Sequence, residues 1–176
     1  MQQAASAISD DALLAARAAE GDTDAFAEIV EMYDAHLRRV CYLVSGDVDV
    51  ADDAVQAAWE KALRQLRTLK RPEALRAWLS TIAVNEVRQA MRRIRVRRLF
   101  RLERLVPAAT ETPPEAVLDL RRALARIPVR DRQLLALRYV AGLPIADISD
   151  ALGEKASTTR SRLSRIQSRL REELVL

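Results

Sequence analysis

The chain has 176 residues, 49% apolar and 31% charged, with only four glycines and six prolines, a composition that excludes a disordered or collagen-like chain and favours helices. No apolar run approaches the ~20 residues of a membrane-spanning helix, and Met1–Asp11 lacks the basic and apolar regions of a signal peptide. The net charge of +4 conceals a split: residues 1–60 carry 13 acidic and 3 basic side chains, residues 61–176 carry 12 and 26, so the second part suits a polyanion and the first a different partner.

In chain order, Asp10 or Asp11 is placed to cap a short first helix that Gly21 ends. Asp22-Thr23-Asp24 offers the next cap. Phe26, Ile29, Tyr33, Leu37, Val40, Cys41 and Val44 then recur at helical spacing up to Ser45-Gly46. His36 reads as a surface or half-buried residue of that helix. Cys41, the one cysteine, reads as a core residue of a chain kept in a reducing compartment. One Cys and one His do not make a structural zinc site, so no metal is expected.

A third helix is expected from about Ala51. Val55, Ala58, Trp59, Ala62, Leu63 and Leu66 form its apolar stripe, and Asp53, Gln56 and Glu60 fall on the opposite face. Lys70-Arg71-Pro72-Glu73 reads as a short basic loop, because Pro72 disfavours helix at Arg71. Leu75, Trp78, Leu79, Ile82, Ala83 and Val87 mark a fourth helix, whose other face carries Asn85, Arg88, Arg92 and Arg95. Trp78 has two readings, core packing on the stripe or stacking against an unpaired base. Eight arginines fall between residues 86 and 104, and the non-periodic stretch that follows holds Pro107, Pro113 and Pro114, as a linker does.

Beyond the linker, Val117 to Ile127 reads as a helix ending at Pro128, and Leu134 to Val140 as another ending near Gly142. Pro144 to Leu152 is a short third helix, with Gly153 as its C-terminal glycine. Ser157 is placed to cap a last helix that buries Leu163, Ile166 and Leu170. Its exposed residues are expected to be Thr158, Arg160, Ser161, Arg162, Arg165 and Arg169, with no acidic side chain from Ala156 to Arg171. A merely solvated face mixes signs. A uniformly basic and hydroxylated helix after a short helix and a turn is suited to the major groove. The fold expected is therefore all-α, with two small helical domains.

No Gly-rich phosphate loop and no nucleophile–base pair stands out. Asp52 and Asp53 diverge by ~100° around their helix, so they do not form an acid–base pair. No catalytic residue is assigned.

Four stretches in order resemble the extracytoplasmic-function sigma factors, the compact two-domain bacterial transcription initiation factors. Ala25-Phe26, Tyr33 and Leu37 resemble the start of sigma region 2. Ala51-Asp52-Asp53-Ala54-Val55-Gln56-Ala57-Ala58-Trp59 resembles its polymerase-binding helix, and Trp78-Leu79-Ser80-Thr81-Ile82-Ala83-Val84-Asn85 its promoter-facing helix. Ile127-Pro128 to Ile148, followed by Ser157-Thr158-Thr159-Arg160-Ser161-Arg162-Leu163-Ser164-Arg165, resembles the helix-turn-helix of region 4. Gln89, Pro144, Ser157 and Thr159 depart from the usual residues.

The resemblance implies a region 2 domain over residues 1–98, a linker over 99–114 and a four-helix region 4 domain over 115–176. It implies that Asp52, Asp53, Gln56 and Glu60 meet the β′ clamp of RNA polymerase core, with the β flap as a second contact. Lys70, Arg71, Arg76, Trp78, Asn85, Arg88, Arg92 and Arg93 are then expected on the minus-ten promoter element. Ser157, Thr158, Arg160, Ser161, Arg162 and Arg165 are expected on the minus-thirty-five element. The segment from Arg95 to Pro114 is expected to thread through the polymerase. No cofactor and no membrane insertion are expected, the free chain is expected to be a cytoplasmic monomer, and an anti-sigma factor is a regulatory partner common in that family.

Three other readings compete. A helix-turn-helix repressor with a sensor domain shares the last four helices but has no use for the Asp53/Gln56 helix or the Trp78–Asn85 stretch. A polymerase-binding anti-factor has no use for the basic last helix, and a small-molecule enzyme lacks a site.

Overall fold

A computed structural model describes residues 2–100 and 122–174. All the secondary structure among these residues is helical. Helices α1 (Gln2–Ala19), α2 (Thr23–Ser45), α3 (Val48–Gln65) and α4 (Leu75–Phe100) form the first domain. Residues 122–125, α5 (Val129–Leu135), a π-helical turn at Ala136–Val140, α6 (Ile145–Leu152) and α7 (Ala156–Leu174) belong to the second.

The ends of α2 follow from its flanking residues. The Asp22 carboxylate accepts from the Asp24 and Ala25 N–H groups at 3.0 Å, satisfying two of the donors a helix start leaves open. Gly46, at φ 73°, turns the chain out through a left-handed conformation and donates to Tyr42 O at 2.8 Å. Asp47 then caps α3 by accepting from Val50 N–H at 3.1 Å, so α3 begins at Val48, three residues before the expected start. Ala51, Ala54, Ala58 and Ala62 are buried along α3, and these small side chains let it lie close to Ile29, Leu37, Val40 and Val44 of α2. Leu75, Leu79, Ala83, Val84 and Val87 complete the core from α4.

Four local expectations are corrected. The first helix is long, and Asp10 and Asp11 lie within it; the Asp11 carboxylate accepts from the Tyr33 hydroxyl and so ties α1 to α2 instead of capping. Leu63 is 59% exposed, because it continues the Asp53–Gln56–Glu60 row by three residues and so points outward. His36 is buried: its Nε2 lies 3.0 Å from Ser80 Oγ, whose own hydrogen goes to Arg76 O at 2.7 Å, so His36 is the donor. Ser157 does not cap the last helix. That helix starts one residue earlier, and Thr159 N–H donates to Lys155 O at 3.0 Å, leaving Ser157 exposed within the first turn.

Cys41 is fully buried, with its thiol near Ala83 O at 3.7 Å. Burial pushes that thiol up to about 12, so it stays protonated. The linker expectation falls, beyond residue 100, outside the described residues. No described helix is long and apolar enough to cross a membrane, and no group of metal-ligating side chains occurs among the described residues.

Candidate nucleic-acid interface

The sequence-predicted residues fall on three surfaces. On the outer face of α3, Asp52, Asp53, Gln56 and Glu60 are all exposed. They are not equivalent. Asp52 is held by the Arg38 guanidinium, which also bonds Asp34 at 2.6 Å, and Glu60 pairs loosely with Arg64 at 3.8 Å. Behind them Trp59 is half-buried, donates to Asp34 Oδ1 at 3.0 Å and meets Phe26 edge-on at 6.0 Å. The acidic face thus rests on a fixed aromatic backing. Leu63 adds an apolar group to the same row.

The second surface is the connection from α3 to α4. Pro72–Ala74 forms a single 3-10 turn, as Pro72 at its first position favours. It leaves Lys70, Arg71 and Arg76 exposed, with Arg71 bonded to Glu73 at 3.0 Å. Trp78 is half-buried and lines an open cavity of about 330 Å³ together with Lys70 and Arg71. Both earlier readings of Trp78 are thereby satisfied in part: one side packs on the core cluster and another borders open space. Along α4, Arg88, Arg92 and Arg93 are exposed and Asn85 is half-buried. Lys61 and Glu86, paired at 2.7 Å, lock this helix to α3.

The third surface is α7. Gly153, at φ 66°, ends α6 and lets the chain turn into α7. Leu163 and Ile166 bury the inner face, joined by Thr159, which is fully buried and shares a 3.2 Å hydrogen bond with Ser149. That bond accounts for a polar residue on the inner face. Ser157, Thr158, Arg160, Ser161 and Arg165 are exposed.

Arg162 differs from these. Its side chain is only 13% exposed. The guanidinium bonds Asp131 Oδ1 at 2.9 Å, the Arg130 carbonyl at 2.9 Å and the Glu154 carboxylate. Glu154 also accepts from Arg130 at 2.8 Å. Arg162 therefore joins α7 to the start of α5 and to the turn after α6.

Sequence reasoning missed the residues where the domains meet. Arg132 and Gln133 lie at the start of the second domain's core helix but are buried against the first domain. Gln133 Nε2 donates to Val84 O and Arg132 Nη1 to Ser45 O, each at 3.4 Å. Leu143 and Asp147 line the same cavity as Lys70 and Arg71. No local periodicity signals such burial, because the covering surface belongs to the other domain.

Comparison with known proteins agrees with this organisation. Residues 29–97 match sigma-70 region 2, and residues 118–170 match sigma-70 region 4. The ECF RNA polymerase sigma factor SigM of Mycobacterium tuberculosis is 34% identical over 92% of this chain and 83% of its own length. SigW of Bacillus subtilis, also an ECF RNA polymerase sigma factor, is 26% identical over 88% of this chain and 91% of its own. The structure of the Bartonella quintana sigma factor RpoE, solved with the anti-sigma factor NepR, superposes with a TM-score of 0.71 or better, namely 0.75, at 25% identity, covering 86% of this chain and 97% of that one. The chain belongs to the extracytoplasmic-function sigma factors, non-enzymatic proteins that direct RNA polymerase to promoters through region 2 and a helix-turn-helix region 4.

Proposed function

We propose that this sigma factor divides its work among the three surfaces described above. The exposed row Asp53, Gln56 and Glu60, with Asp52 beside it, docks on the β′ clamp of the polymerase core. The Lys70–Arg76 connection and Trp78 take an unpaired base of the minus-ten element, while Asn85, Arg88, Arg92 and Arg93 follow the adjoining strand. Ser157, Thr158, Arg160, Ser161 and Arg165 face the major groove of the minus-thirty-five element, and Arg162 acts from behind by fixing the angle of α7. Region 2 occupies residues 1–98, region 4 residues 115–176, and residues 99–114 join them within the polymerase, where region 4 also meets the β flap. The reading includes a cytoplasmic location, an anti-sigma factor as inhibitor and a signal-responsive set of promoters. The complex of RpoE with NepR supports the inhibitor by analogy.

The observation that carries this reading is the face of α7. It is exposed, wholly free of acidic side chains from Ala156 to Arg171, and set on a rigid helix-turn-helix by buried Leu163, Ile166 and Thr159. Such a face attracts phosphates and presents donors to base edges.

Run-off transcription with purified core polymerase tests the assignment. Asp53→Ala with Gln56→Ala is expected to weaken capture of core polymerase. Lys70→Ala with Arg71→Ala is expected to leave capture intact and to impair promoter opening. Arg160→Ala is expected to lose discrimination between matched and scrambled minus-thirty-five sequences. Equal transcription by all three variants and the parent overturns the division of labour.

A further inference from the structure

The two domains touch on the side of region 2 that faces the promoter in the reading above. Arg76 Nη2 donates to Val140 O at 3.3 Å, Gln133 to Val84 O and Arg132 to Ser45 O. The cavity beside Trp78 is walled on one side by Lys70, Arg71 and Thr81, and on the other by Leu143 and Asp147 of region 4. A base stacking on Trp78 needs this space. Asp147 also places a negative charge beside the two cations that would attract a DNA strand.

We propose that region 4 holds the free chain closed by sitting on the minus-ten surface, and that polymerase must part the domains before promoter DNA reaches it. This rests on the assignment of Lys70, Arg71 and Trp78 to the promoter strand. Separation is also physically accessible. The three domain-bridging hydrogen bonds are at the long end of the N–H···O range. Arg132 Nε and Gln133 Oε1 are buried with no hydrogen-bond partner, and burial lowers the Arg132 pKa. Buried polar groups left unpaired oppose burial, so part of the closing free energy is lost at the seam itself. A guanidinium desolvated without a carboxylate regains water when the seam opens. Meanwhile Asp53, Gln56 and Glu60 remain exposed in the closed form, so core polymerase can capture it first. Binding the two regions at separate polymerase sites then selects the open state, and the factor by which closure suppressed promoter affinity is removed.

The test uses the full chain carrying Arg76→Cys and Val140→Cys. Cys41 is fully buried and stays inert to thiol reagents. Nitroxide labels on the two new cysteines are expected to give one short, narrow distance in the free chain, and a longer one once core polymerase is added. A short bis-thiol cross-linker with a reducible spacer is expected to join them within one chain. The cross-linked chain is expected to bind core polymerase but to open promoters at least about tenfold less than the same chain after reduction. A broad, long distance in the free chain overturns the proposal, and so does full promoter opening by the cross-linked form. The distance measurement contains no DNA, so it judges closure independently of the promoter assignment. If Lys70→Ala, Arg71→Ala and Trp78→Ala all leave opening unchanged, the promoter assignment fails, and the occluding role fails with it even where the distance is short.

Discussion

Arg162 offers the sharpest test of how the recognition helix is held. Replacing it with alanine removes a guanidinium that meets Asp131, Glu154 and the Arg130 carbonyl at once. Glu154 is only 7% exposed, and its Oε2 already lacks a partner. Breaking one side of a buried pair typically destabilises by about 3–5 kcal/mol, because the remaining charge stays desolvated. Here the lower end applies: Arg130 still reaches Glu154 at 2.8 Å, and Asp131 is 28% exposed. The expected loss for Arg162→Ala is therefore about 2–3 kcal/mol, and Arg162→Lys is expected to recover only part of it, since an ammonium cannot reproduce the guanidinium fork. Both Trp residues lie in region 2, so urea unfolding of region 4 is followed by backbone amide exchange in α5–α7 rather than by fluorescence. A second measurement separates holding from touching. A phosphate contact contributes about 0.9 to the slope of log K against log salt. Arg165→Ala is expected to flatten the holoenzyme's slope on minus-thirty-five duplex by about that amount, and Arg162→Ala, compared where region 4 is folded, to leave it unchanged. A loss below 0.5 kcal/mol, on the order of a silent surface change, together with a flattened slope for Arg162→Ala would refute the positioning role.

Arg92→Ala is expected to lower the salt slope of promoter binding by about one unit, because Arg92 is exposed on the outer face of α4; an unchanged slope removes it from the footprint. Burial, followed by the charges of Arg76 and Arg39, pulls His36 down to about 4 from an ordinary 6.5. Below pH 6.5 the unfolded chain therefore takes up a proton that the folded one refuses. Stability is full above pH 6.5 and declines as pH falls towards 4, by up to about 3 kcal/mol from this group. Urea midpoints from pH 7 to 4 check this, and His36→Gln is expected to flatten the profile even though it shifts the midpoint at pH 7. Gly46→Ala is expected to cost about 1 kcal/mol through the left-handed φ of 73°, with the new methyl carbon 3.4 Å from Arg132 Nη1; thermal unfolding of the full chain measures it.

Much of the helix plan is written in residues that act locally. Asp22, Gly46 and Gly153 each mark a boundary because the chemistry of a helix end is confined to a few neighbouring peptide groups. The first cap failed for the same reason. Asp11 has the right side chain for a cap, but its partner is Tyr33 on another helix, 22 residues away. Leu63 shows the complementary error. Hydrophobicity alone put it in the stripe, whereas its spacing from Glu60 and Gln56 puts it in the acidic row. Period outweighs residue type when the two disagree, and an exposed leucine beside exposed acids is then informative about a protein-contact face.

The site was legible wherever function requires exposure. The cations of α4 and α7 stand out in the sequence because a DNA-facing surface must display them in an unbroken run. Partnering is different: Arg160, Arg162 and Arg165 look alike in sequence, yet Arg162 alone turns inward onto Asp131 and Glu154. The difference is angular. From Leu163, the buried anchor, Arg162 lies one residue back and meets the neighbouring helix, while Arg160 and Arg165 lie farther round the cylinder. The same logic reshapes the meaning of the +14 half. Its charge is not spent on DNA alone: Arg162 holds the reading helix, Arg76 and Arg132 reach across to the other domain, and only the arginines left exposed on α4 and α7 are available to a phosphate. Net charge thus identifies the partner, and the pairing of each arginine decides which residues can meet it.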